Sequence, residues 1–197
     1  RIDRLTPDHK RLLEAASVIG RDVPLNVLKA IAEENDEALT RGLRQLQVSQ
    51  FLYETSTFPT AKFTFKHALT YDVVYENLLR ERRRSLHVRT MQAIEQLDAE
   101  RLAEQADKLA YHAVRGELWD KAAHYLLQAG QKSIRLSAYR DALAHLSLGL
   151  DALARLPGTP EHLSMELDYR VSIGSIQLAT LGWAAPQVLQ TYARARQ

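Results

Sequence analysis

The sequence predicts a mainly α-helical protein in two parts, three helices closed by a β-hairpin and then a stack of further helices. Three observations predict it. Between Thr6 and Val48, helix-start residues precede three runs of apolar side chains at helical spacing. Between Phe51 and Phe65 the apolar period shortens to two on either side of a polar turn. Beyond Arg101, two helical runs match one another at an offset of 20 residues.

Each element has its own signal. Thr6 as N-cap and Pro7 in the first turn start a helix that carries Leu12, Leu13, Ala16 and Ile19, and Gly20 closes it. Pro24 starts a second helix with Leu25, Leu28 and Ile31 on one face. Asn35 and Asp36 cap a third, with Leu39, Leu43, Leu46 and then Val48 turned inward. Phe51 to Glu54 reads as a strand, Thr55 to Thr60 as a polar turn with one Pro, and Lys62 to Phe65 as the return strand. Three helices followed by a two-stranded hairpin is the order of a winged helix, expected over residues 1–80.

The hairpin delivers the chain into the stretch from Phe63 to His87, around which the two parts are organised. Its period of two ends at Phe65. From His67 the spacing is helical, through Leu69, Val73, Tyr75 or Glu76, and Leu78–Leu79. This helix is expected to end in the basic run Arg80, Arg82, Arg83, Arg84 and Arg89, since positive charge suits a helix C-terminus. Ser85 is then expected to cap a connecting helix, within residues 81–100, that buries Leu86, Thr90, Ala93 or Ile94, and Leu97.

Residues 101–197 are expected to be helical throughout. Leu102, Ala106, Leu109, Ala110 and Ala113 make a small-residue face ended by Gly116. The next two helices supply the repeat, which pairs Trp119 with Tyr139, Ala122 with Ala142 and Leu126 with Leu146. Small residues let a neighbouring helix approach and larger ones fill the remaining gap, which is how antiparallel helix pairs stack into a solenoid. Pro157-Gly-Thr-Pro160 punctuates the chain, and Thr159 caps a long helix through Leu163, Leu167, Val171, Ile176 and Leu178 to Gly182. Ala185-Pro186 opens a last helix with Val188, Leu189, Tyr192 and Ala195.

The totals exclude several classes. An apolar share of 46% in 197 residues is ample for a core, and a formal charge of +2 does not argue for bulk nucleic-acid or membrane binding. Absent cysteine removes thiolate catalysis, disulfide scaffolds and Cys-based zinc sites, and fits a reducing cytoplasm. No apolar run approaches the roughly 20 residues that span a bilayer. The chain opens at Arg1 without Met and stops at Gln197 inside an amphipathic pattern, so a segment of a longer protein is expected. There is no Gly-rich phosphate loop ending in Lys-Ser/Thr, no Gly-x-Ser-x-Gly and no Asp pair placed for two-metal chemistry, so no catalytic residue is assigned. The histidines other than His67 (His9, His87, His112, His124, His145 and His162) show no zinc pattern, and no metal ligand is assigned. Trp119, Tyr125 and Tyr139 read as packing residues rather than a ligand cage.

Three stretches together resemble the region downstream of the ATPase module in large bacterial signalling ATPases of the STAND (AAA-related) type, many of them fused to a class III adenylate or guanylate cyclase. They are FTFKHALTYDVVYENLLRERRRSLH, ELWDKAAHYLLQAGQKSIRLSAYRDALAHLSLGLDAL, and LPGTPEHLSMELDYR with the LGWAAPQVLQTYARAR tail. The resemblance implies a winged helix followed by an irregular tetratricopeptide-like solenoid. The offset of 20 departs from the usual period of about 34. It implies a non-catalytic regulatory segment of a cytoplasmic protein, with ATP or ADP and Mg on a neighbouring ATPase module and a protein or small-molecule signal on the helical repeats.

It also implies a role for His67. A histidine opening such a helix, in a Phe-x-His-x-Leu or Met-His-Asp pattern, is thought to reach the ADP phosphates, and Phe65-Lys66-His67-Ala68-Leu69 is similar, with Ala68 where the Met-His-Asp version has its acid. The alternative is a histidine that merely satisfies a helix end. Arg80, Arg82, Arg83 and Arg84 are candidates for a partner patch, against a solvated helix end. A rival class is a DNA-binding winged helix with a helical dimerisation region, helix 36–48 presenting Arg41, Arg44 and Gln47. Asp36 and Glu37 would repel phosphate where that helix enters a groove.

Overall fold

A computed structural model describes residues 2–57, 60–182, 190 and 193. It is mainly helical and divides into two compact units, Arg1–Ala99 and Glu100–Gln197.

In the first unit the expected caps form. The Thr6 hydroxyl accepts from the His9 amide at 3.4 Å and starts α1, Pro7–Ile19. Asn35 accepts from the Ala38 amide at 2.9 Å and starts α3, Asp36–Val48. Between them lies α2, Leu25–Ile31, entered through Pro24. Leu12, Leu13 and Ala16 of α1, Leu28 and Ile31 of α2 and Leu46 of α3 are all fully buried, with α1 packed on both α2 and α3. Val48 is the exception, 72% exposed, because two residues beyond buried Leu46 it falls about 200° around the helix, on the opposite face of α3.

The hairpin is β2, Leu52–Ser56, and β3, Lys62–Phe65, with a bulge between Glu54 and Ser56. A third strand, β1 (Asp22–Pro24), joins it. β1 pairs antiparallel with β3, Val23 opposite Phe63, so the order is β1-β3-β2. The sequence gives little sign of β1. Three residues are too few to alternate, and its Pro is tolerated only because the strand lies at the sheet's edge.

After β3 the chain differs from expectation at the basic run. Helix α4 covers only Ala68–Glu76, and its C-cap is Asn77. A second helix, α5, begins at Arg80 itself and runs to Leu97. The arginines therefore open a helix rather than end one, and Ser85 sits inside α5 instead of capping it. The break falls where buried Leu78 turns the chain while Leu79, 79% exposed, extends outward as the N-cap. Helix α5 packs on α1 and α2 through Leu86, His87, Thr90, Met91, Ala93 and Ile94, so this expected connector belongs to the first unit. Leu97, expected inward, is 44% exposed.

The second unit holds α6 (Ala106–Arg115), α7 (Trp119–Arg135), α8 (Tyr139–Leu153) and α9 (Pro160–Leu181). Residues 102–105 form turns, so α6 starts later than the sequence predicts. The repeat at offset 20 has a structural counterpart: Ala122, Leu126, Ala142 and Leu146 are all buried. The turns preceding the two helices are also alike. Glu117 and Ser137 take positive φ, 57° and 58°. The Leu118 amide reaches the Ala113 carbonyl and the Ala138 amide the Ser133 carbonyl, both at 2.9 Å. This is the left-handed C-terminal cap that usually employs glycine. Gly116 ends α6 as expected, yet it lies one residue before the position that needs the left-handed turn.

Helix α9 starts on the predicted Thr159 cap and stops at Gly182. Its only fully buried large side chains among the described residues are Tyr169 and Ile176. Leu163, Leu167 and Val171, four residues apart, lie 45–58% exposed. Tyr169 enters where α8 has Gly149, and its hydroxyl donates to the Ala123 carbonyl of α7 at 2.5 Å. Three helices thus meet on one side chain. The last helix expected, from Ala185 to Ala195, lies outside the described residues apart from positions 190 and 193.

Candidate functional site

The candidate site is the junction of β3, α4 and α5. The sheet pins the chain up to residue 66: the Phe65 amide donates to the Arg21 carbonyl at 3.2 Å and the Lys66 amide to the Phe51 carbonyl at 2.9 Å. His67 follows as N-cap of α4, with extended φ and ψ of −131° and 129°. Its carbonyl accepts from the Thr70 amide at 3.0 Å and the Tyr71 amide at 3.3 Å, which starts the helix. Its imidazole is exposed and makes no capping hydrogen bond, and the first turn carries no acid. Of the two readings of His67, a ring satisfying a helix end therefore finds no bond here. The first amides of α4 keep the positive end of the helix dipole beside two basic side chains, Lys66 and His67.

Behind this exposed turn lies an aromatic chain. Phe65 meets Tyr71 edge-on at 5.4 Å, Tyr71 stacks on Tyr75 at 6.1 Å, and Tyr75 meets His87 edge-on at 5.9 Å. The Tyr75 hydroxyl lies 3.0 Å from His87 Nε2 in the interior. The chain runs from the strand through α4 to α5. His87 was not singled out by sequence, although its spacing to Thr90, Met91 and Ile94 places it on the buried face of α5.

The arginines divide. Arg82 and Arg89 each donate to Glu33 Oε1 at 2.8 Å, and Arg89 also reaches the Ile31 carbonyl at the end of α2, at 2.5 Å. Hydrogen bonds from Arg82 and then Arg89 hold the Glu33 carboxyl below the usual carboxylate range. These contacts fasten α5 to the last turn of α2, whose free carbonyls favour a cation. Arg83 lies over the Tyr75 ring at 5.1 Å and 3.5 Å from Glu76. Arg80 and Arg84 are the exposed members of the run. Of the proposed partner patch, Arg82 and Arg83 thus have internal work. No sequence signal points to Glu33, because its partners lie 49 and 56 residues away.

On α3, Arg41 and Arg44 are exposed, and Arg41 lies 4.0 Å from Glu37. In the second unit, Asp107 of α6 pairs with Lys132 of α7 at 2.5 Å and lies 3.8 Å from His145 Nε2 of α8. Arg155 stacks over Trp119 at 4.3 Å, which gives that tryptophan a packing role. Tyr125 is buried. Among the described residues no group of three or more His, Cys, Asp or Glu side chains is placed to hold a metal ion. No described helix is long and apolar enough to cross a membrane.

No family model matches the chain, and no solved structure matches it significantly. Among curated proteins it is similar to the uncharacterized protein R02095 of Rhizobium meliloti (strain 1021). The two are 26% identical over 184 residues, 93% of this chain and 18% of that protein. The chain thus spans under a fifth of the length of the relative it matches.

Proposed function

We propose that this chain is a regulatory, non-catalytic segment of a larger cytoplasmic STAND-type signalling ATPase of the kind often fused to a class III cyclase, with a winged helix in the first unit and a tetratricopeptide-like solenoid in the second. A signal bound on the helical repeats is relayed to an adjacent nucleotide module, where ATP or ADP and Mg reside, and His67 is the contact to the ADP phosphates. The observation that carries this reading is the state of the α4 entrance. An imidazole that the sheet backbone holds at a helix N-terminus, exposed and without a capping bond, can donate to a phosphate oxygen brought against it. The aromatic chain behind it is the mechanical link through which α5 would feel the nucleotide state. Support for the winged helix comes from the element order α1-β1-α2-α3-β2-β3, with β3 central in the sheet. Support for the solenoid comes from α7 and α8, which repeat both their buried positions and their entry turns.

The test is ADP release from the full-length protein. His67→Ala is expected to speed release of a fluorescent ADP by about tenfold, the worth of one charge-assisted hydrogen bond. Unchanged release removes the sensor role. The rival reading, a DNA-binding winged helix, draws on exposed Arg41 and Arg44. Against it, Glu37 lies beside Arg41, and Asp36 is held by Lys29 at 2.6 Å at the end that would enter a groove. A salt-dependent gel shift by residues 1–99 at physiological salt would favour the rival.

A further inference from the structure

The strongest feature outside that site is His162, in the first turn of α9. Its Nδ1 lies 2.7 Å from the Pro157 carbonyl oxygen, and its Nε2 lies 3.1 Å from Asp120 Oδ1 in the first turn of α7. A carbonyl and an ionised carboxylate can only accept. Both ring nitrogens must therefore donate, which only the imidazolium can do. Loss of either proton sets a ring lone pair against an oxygen lone pair at hydrogen-bond distance, and the ring must leave one of its partners.

We propose that His162 is a pH-operated latch that holds the first turn of α9 to the first turn of α7 while protonated and releases it when neutral. The surrounding charges agree. From α7 the ring faces Asp120. On its own helix Glu161 is adjacent, its carboxyl kept low by its own backbone amide and then by Thr159. Further along α9, the Glu166–Arg170 pair borders the same cleft, and at the end of α8 Arg155 is stacked on Trp119, the neighbour of Asp120. The Pro157 carbonyl, and then Asp120, hold the imidazole above its ordinary range. A raised folded value means that the latch contributes fully below about pH 6.5, the unfolded value, and is lost as pH rises through the folded one.

The latch has something to control. His162, Leu163, Glu166 and Arg170 form the α9 side of a cleft of about 320 Å³, and Leu153 and Leu156 lie across it. Release of the first turn would change the cleft and the presentation of Leu163, and of the exposed Leu167 and Val171 further along α9.

Amide hydrogen exchange over residues 160–167 of the full chain tests this, with each variant compared to wild type at equal pH so that intrinsic exchange cancels. Between about pH 6 and pH 8.5, wild-type protection is expected to fall a few-fold relative to His162→Gln, which has no proton to lose in that range. Asp120→Asn, at a site with a 71% exposed side chain, should fold normally and show a shallower fall. NMR titration should place the His162 ring above free histidine. An equal fall in His162→Gln, a wild-type slope in Asp120→Asn, or a ring that titrates at or below about pH 6.5 would overturn the latch.

Discussion

Gly149→Ala is the sharpest perturbation available in the second unit. A Cβ built on residue 149 would lie 1.9 Å from the Tyr169 hydroxyl oxygen, 2.1 Å from Cζ and 2.2 Å from Cε1. Ordinary contact between such atoms is about 3.5–4.0 Å, so atoms must separate by roughly 1.5 Å. A long flexible side chain could yield at small cost. Tyr169 cannot, because it is fully buried and its hydroxyl is anchored on the Ala123 carbonyl. Overpacking of this kind costs about 1–3 kcal/mol, and loss of the tyrosine hydrogen bond adds about 1 kcal/mol. Against this, alanine is a better helix former than glycine by about 1 kcal/mol. The expected net loss is about 2 kcal/mol, or roughly 10 °C in Tm for a unit of this size. Trp119 lies in α7 and the first unit has no tryptophan, so tryptophan fluorescence during urea unfolding reports the second unit without the first. Removing the ring in Gly149→Ala/Tyr169→Ala should make the glycine substitution neutral or favourable. If Gly149→Ala alone stabilises the unit, the packing of α8 on Tyr169 is not as described.

Two further substitutions probe the same unit. Burial, and then the charge of Lys108, push the His112 imidazole down to about 4, so the folded state keeps it neutral where the unfolded chain accepts a proton. Stability should therefore be full above about pH 6.5 and decline as pH falls towards 4 by about 3 kcal/mol, a slope that His112→Leu should flatten in urea titrations at several pH values. Ser137→Gly, at φ of 58°, should raise stability by about 0.5–1 kcal/mol by relieving left-handed strain, whereas Ser137→Val should lower it; calorimetry distinguishes the two outcomes.

The candidate site was legible in part. The change of period at His67 located the strand-to-helix junction, since alternation and helical spacing are local properties of the chain. What was missing was the break at Leu78–Leu79. Helical spacing continues through it, and the chain stops there only because α5 has its own partners in α1 and α2. That error reversed the sense of the arginines, from the closing charges of one helix to the opening turns of another. Their partners could not be read at all, because Glu33 and the Ile31 carbonyl become neighbours only when α5 lies on α2.

By itself the sequence determined where most helices begin. Thr6, Asn35 and Thr159 cap as expected, because a cap is settled between residues three apart. It also determined the inward face of α3 apart from Val48, and the buried alanine and leucine positions of the repeated helices α7 and α8. Only the tertiary structure decided that β1 exists, that Tyr169 enters at Gly149, that His112 is buried neutral, and that His162 lies between two acceptors. Each of these depends on groups distant in sequence sharing one small volume, where packing and desolvation set both conformation and charge.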